Sequence, residues 1–81
     1  MSERSIVRMP TITSATPIVV EQVLVTKGER VESVQPLVEV QVDKATITIP
    51  APGSGIVVQV FVAQGDVIRA DDPLVTLTDS P

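Results

Sequence analysis

Only two lysines occur among the 81 residues, and one of them, Lys44, stands where the chain has almost no room to turn. Residues 37–42 alternate, with Val38, Val40 and Val42 on one side and Glu39 and Gln41 on the other. Residues 45–49 alternate again, setting Ala45, Ile47 and Ile49 against Thr46 and Thr48. Period-two alternation marks half-buried strands, which leaves Asp43 and Lys44 as a two-residue hairpin tip. Such tips favour Asn-Gly or Asp-Gly, where a positive φ is cheap, and lysine has no such advantage. A lysine there is either ordinary solvated surface or a displayed primary amine. A displayed amine is open to an acylating enzyme from every side, and acylation removes its charge. The scarcity of lysine and the position of Lys44 favour the second reading.

Little else in the chain offers chemistry. There is no His, Cys, Trp or Tyr, and only one Phe. That excludes a Ser-His-Asp triad, a thiol nucleophile, a disulfide framework and imidazole or thiolate metal sites. A formal charge of −4 and a single aromatic argue against nucleic acid as a partner. No apolar run approaches the ~20 residues needed to cross a membrane as a helix. Asp71-Asp72 is an acid pair, but it precedes Pro73 with no third ligand in view and reads as a solvated turn. Glu29-Arg30-Val31-Glu32 reads as surface strand and turn, and Lys27 as plain surface. The expectation is a carrier without an active site of its own.

The elements that hold Lys44 come from composition and from a repeat. Val, Ile and Thr make 31 of the 81 residues, while Ala and Leu together make nine, so strands are favoured over helices. Shifting residues 20–41 by 37 positions places them on 57–78, with eight identities in 22 pairs. These include Gly28/Gly65 and Pro36-Leu37-Val38/Pro73-Leu74-Val75, so turns and strands are repeated in register. Strands are expected at 6–9, 18–25, 30–32, 37–42, 45–49, 56–62 and 73–78. Turns are expected at 27–29, 33–36 and 64–66, with Gly28 and Gly65 supplying positive φ. Residues 1–5 and 79–81 read as tails. The predicted fold is all-β: a flattened barrel or sandwich of about eight short strands, built from two quasi-symmetric halves. It forms one domain over 1–81 with its folded core at about 6–79.

With these residues in hand, the chain resembles the lipoyl branch of the biotinyl/lipoyl-attachment family. The resemblance rests on Asp43-Lys44-Ala45 at a hairpin, on the following Ile49-Pro50-Ala51-Pro52-Gly53-Ser54-Gly55, and on Gly28-Glu29 and Gly65-Asp66 in a duplicated β domain. It implies that Lys44 carries lipoic acid as an amide, with Asp43 and Ala45 flanking it as recognition residues. It also implies the partners: a lipoate ligase or lipoyl transferase, a thiamine-dependent decarboxylase (E1), the E2 catalytic core and dihydrolipoamide dehydrogenase (E3). The implied role is a swinging arm that shuttles acyl groups and electrons in a 2-oxo acid dehydrogenase complex, within a dihydrolipoamide acyltransferase. The chain departs from the family pattern at several places. Gln41 and Val42 stand where an acid and a hydroxyl residue are usual, and Val34 and its repeat partner Asp71 stand where one half usually has Gly. Val23 replaces a common Trp, and the loop 11–17 lacks Gly and acid.

Two neighbouring readings use the same fold. A biotin carrier has methionines on both sides of its lysine, whereas Met1 and Met9 lie far from Lys44. An unmodified, lipoyl-like structural module would have its halves split by a long helical insertion, which is absent here. The isolated domain is expected to be a monomer. It is expected in the cytoplasm, or in the mitochondrial matrix of a eukaryote.

Overall fold

The computed structural model describes residues 4–12 and 16–79. These residues form eight strands: β1 (Arg4–Arg8), β2 (Ile18–Val23), β3 (Arg30–Val31), β4 (Pro36–Val42), β5 (Ala45–Pro50), β6 (Gly55–Val60), β7 (Val67–Ile68) and β8 (Pro73–Thr78). One four-stranded sheet has the order β1-β8-β6-β3 and the other β5-β4-β2-β7. Every pairing is antiparallel. Each half lends its two-residue strand to the sheet dominated by the other half. β3 pairs with β6, and β7 pairs with β2. The halves therefore interlock as well as stack, which gives the expected flattened sandwich.

The 37-residue repeat survives bond by bond. The Leu24 N–H donates to the Leu37 carbonyl and Phe61 to Leu74, both at 2.9 Å. Gly28 donates to Val57 at 2.7 Å, and Gly65 to Val20 at 2.8 Å. Each turn is also closed by a side chain. Glu29 Oε1 accepts from the Thr26 N–H at 3.1 Å, and Asp66 Oδ2 from Ala63 at 2.8 Å. Gln35 Oε1 accepts from Glu32 at 3.0 Å, and Asp72 Oδ2 from Arg69 at 2.8 Å. A carboxylate or amide oxygen folded back on its own turn satisfies a main-chain donor that would otherwise need water. Gly28 and Gly65 both have φ 92°, the positive value their turns were expected to need.

The core lies between the sheets and draws on both halves. Val31, Leu37, Val38, Val40, Leu74 and Val75 are fully buried, and Val20 and Val57 nearly so. Each such side chain contributes about 1.5–3 kcal/mol relative to exposure, which offsets the ordering cost of a small domain. Burial in β4 alternates from Val38 on, with Val38, Val40 and Val42 inside, Glu39 half-buried and Gln41 outside, while Leu37 before them is also buried.

Several boundaries differ from the sequence expectation. β1 starts at Arg4, because Arg4 and Ser5 pair with Thr78 and Leu77; only residues 1–3 of the expected N-terminal tail lie outside the described chain. Asp79 follows β8 as predicted, while residues 80 and 81 lie outside it. β2 and β6 end at Val23 and Val60 rather than at 25 and 62; Leu24 and Phe61 each make one more bond to the neighbouring strand, and the chain then bends into its turn. β3 is two residues, and Val31 within it is core, not surface. The unusually short strand works because Val31 is its single anchor.

Candidate functional site

The strands β4 and β5 form the hairpin that the alternation requires. Val42 pairs with Ala45, so Asp43 and Lys44 alone make the turn. Asp43 has φ 53° and Lys44 does not have a positive φ. The one positive φ of the tip thus falls on its first residue. The strain therefore falls on Asp43, and aspartate tolerates the left-handed region better than most residues. Lys44 occupies the position that an L side chain adopts without cost.

Burial fades toward the tip. On β5 the inward series runs from buried Ile49 through half-buried Ile47 to exposed Ala45, and Lys44 is exposed beyond it. Val42 is the last core residue on the β4 side. The tip is thus exposed from Asp43 to Thr46, beyond a base held by the core. The exposed Lys44 amine can therefore be reached by an acylating enzyme, so the residues fit a covalently carried group.

Side-chain bonds fasten the tip. The Thr16 hydroxyl donates to Asp43 Oδ1 at 3.1 Å, and the Thr46 hydroxyl donates to Glu21 Oε2 at 3.3 Å. The residues before and after the Lys44–Ala45 pair are therefore tied to the segment that leads into β2 and to β2 itself. Thr16 and Glu21 escape sequence reasoning, because their partners lie 27 and 25 positions away. The two halves differ where Thr16 lies. Met9 and Ala51 make equivalent exchanges across the two corners: Met9 N–H to Asp72 at 2.9 Å and Ala51 N–H to Gln35 at 2.8 Å. After Met9 the chain takes residues 10–17 to reach β2, whereas after Ala51 it takes only 52–54 to reach β6. The extra length is what carries Thr16 to the tip. Thr13–Ala15 of the loop noted above lie outside the described residues.

The competing candidates settle into structural roles. Asp72 caps its turn through Arg69, and Asp71 (φ 73°) donates its N–H to the Met9 carbonyl at 2.8 Å. Among the described residues no three acidic, His or Cys side chains gather as a metal site. Lys27 is exposed in the first turn.

Known proteins resemble this chain in sequence and in fold. A family model described as "Biotin-requiring enzyme" (Biotin_lipoyl) matches residues 5–77. The dihydrolipoyllysine-residue acetyltransferase component of the pyruvate dehydrogenase complex of Pseudomonas aeruginosa is 37% identical over 71 residues. That match covers 88% of this chain and 13% of the relative. The mitochondrial lipoamide acyltransferase component of the branched-chain alpha-keto acid dehydrogenase complex of Arabidopsis thaliana is 45% identical over 53 residues, covering 65% of this chain and 11% of its own length. The chain thus spans about an eighth of the relatives it matches. Among solved structures, a single-chain, multi-domain long-chain acyl-CoA carboxylase superposes with a TM-score of 0.83 at 23% identity, over 95% of this chain and 7% of that one. That is a likeness of fold.

Proposed function

The chain belongs to the Biotin_lipoyl family, and on that premise we propose that it is a lipoyl carrier domain with Lys44 as its attachment residue. The observation that carries this reading is the Asp43-Lys44-Ala45 tip: a scarce lysine, exposed, on the strain-free position of a two-residue turn. The named acyltransferases among its relatives support lipoate over biotin. The absence of methionine beside Lys44 supports it too.

In this reading a lipoate ligase or lipoyl transferase joins the lipoate carboxyl to the Lys44 Nζ as an amide. Asp43, held by Thr16, and Ala45 present the amine in a fixed orientation. When bound, the dithiolane supplies reversible acyl and electron transfer, the chemistry that this chain's own residues lack. The domain supplies presentation and tethering. A tethered carrier raises the effective concentration between sites to the millimolar range expected for short flexible links. The partners are E1, the E2 catalytic core and E3 of a 2-oxo acid dehydrogenase complex, in the cytoplasm or mitochondrial matrix. The domain has no active site of its own and is monomeric when isolated.

Intact-mass measurement after incubation with lipoate, ATP and a lipoate ligase tests the assignment. Wild type is expected to gain one lipoyl group, and Lys44→Arg none. A lipoyl group on Lys27, or no gain by wild type, rejects the reading. A gain of biotin with a biotin ligase and not of lipoate with its own ligase moves the chain to the biotin carriers.

A further inference from the structure

Among the described residues β5 is an edge strand, hydrogen-bonded to β4 on one side. Antiparallel rows alternate between bonded and non-bonded pairs. The two-residue turn makes Val42–Ala45 a bonded pair, which puts Thr46 and Thr48 on non-bonded rows, opposite Gln41 and Glu39. Their main-chain N–H and C=O groups consequently point away from β4. Both residues are exposed.

Open edges of this kind invite unwanted pairing, and proteins usually guard them with charge, proline or cover. The quasi-twofold relation supplies an internal control. Gln41–Thr46 and Glu39–Thr48 in one sheet correspond to Thr78–Arg4 and Thr76–Ile6 in the other. β1 is thus the counterpart of β5. It is guarded by Arg4 and Arg8, one at each end. β5 has no charged residue from Ala45 to Pro50, and four of its six residues are β-branched. Its one guard is Pro50, at the end remote from the amine, so the stretch from Ala45 to Ile49 that begins one residue after Lys44 is bare.

We propose that this bare edge is a docking strand for the enzyme that acylates Lys44. An extended, uncharged segment of that enzyme adds to the sheet through main-chain bonds to Thr46 and Thr48. The inference rests on Lys44 being the acylated residue. The occupant follows from continuity: an active site that closes on the Lys44 Nζ also covers the start of β5. Main-chain pairing reads strand position rather than side-chain identity, so it places the lysine in register whatever surrounds it. It also accounts for recognition of a chain whose residues before Asp43, Gln41 and Val42, depart from the usual pattern.

The test uses the whole chain and a lipoate ligase. Proline is tolerated on an edge strand where its missing N–H would face solvent. Thr48→Pro is therefore expected to fold, with unchanged circular dichroism, and to lose about tenfold or more in kcat/KM for lipoylation. Ile6→Pro, at the equivalent position of the guarded edge, is expected to be lipoylated like wild type. On wild type, amide exchange at Thr46 and Thr48 is expected to slow when the ligase binds. If Thr48→Pro fails to fold, this exchange measurement decides. Wild-type lipoylation with unprotected amides, or with Thr48→Pro as fast as wild type, overturns the docking strand and leaves the carrier reading standing. A wild-type chain that is never lipoylated overturns both. Protection of the same amides without ligase, together with a dimer in sedimentation, shows that a second copy occupies the edge and overturns it as well.

Discussion

Val34 has φ 61° and is exposed, a conformation that β-branched side chains rarely hold. Its repeat partner Asp71 has φ 73°. Both N–H groups are fixed by corner bonds, Val34 to the Ala51 carbonyl at 3.0 Å and Asp71 to Met9 at 2.8 Å. The corner dictates the backbone, and the residue type conforms at some cost, roughly 1–2 kcal/mol for an L residue in the left-handed region. Val34→Gly is therefore expected to raise the melting temperature, because the relieved strain exceeds the entropy that glycine adds to the unfolded chain. Asp71→Gly is expected to raise it less, since aspartate tolerates this region. Thermal melts of the two variants side by side check the order, and a lower melting temperature for Val34→Gly rejects the strain argument. Residue by residue, the exposed place of Lys44 at a hairpin tip was legible because a rare amine interrupts an alternating pattern. Thr16 and Glu21 were not, since a single hydrogen bond across more than twenty positions leaves no mark on local sequence.

The strands and turns were more legible than the bonds between them. Alternation located β4 and β5 almost to the residue, and the repeat located the turns at Gly28 and Gly65. The strand ends were less legible, because the switch from ladder to turn is set by where the other half's strand begins. Gly55 illustrates a further limit. It opens β6 without a positive φ, yet a Cβ there would collide with the carbonyl oxygen of Thr78 on β8, whereas one at Gly53 would enter open space. Glycine at 55 is thus required by the closeness of two backbones, a demand that only the paired strand reveals. Gly55→Ala is expected to destabilise the domain by about 1–3 kcal/mol, the range for overpacking a tight site. Gly53→Ala is expected to change it by less than about 0.5 kcal/mol, as surface substitutions do. Urea titration of both variants separates them. Equal midpoints would mean that β6 and β8 can move apart freely.

At the scale of the whole molecule, the interlocking of the halves matters more than any one strand. β3 and β7 cross to the opposite sheet, so neither half can form its sheet without the other, and unfolding is expected to be a single cooperative event. The ends of the described chain are adjacent, with Arg4 paired to Thr78. A circular permutant that links residue 79 to residue 4 through a short spacer and opens at Gly53 is expected to fold and to be lipoylated on Lys44. Circular dichroism and intact mass check this, and an unfolded permutant would mean that the β5–β6 connection is itself essential. The pairings also fix where those ends lie. From the row Gln41–Val19, just below the lysine, β2 runs away to Val23, and the next turn delivers β3 to Ile56, which lies beside Thr78. The ends therefore occupy the pole opposite Lys44. A body fastened at that pole works like a crane boom. Its own length is added to whatever reach the lysine's cargo has, and a small rotation at the fastening swings the amine through a wide arc.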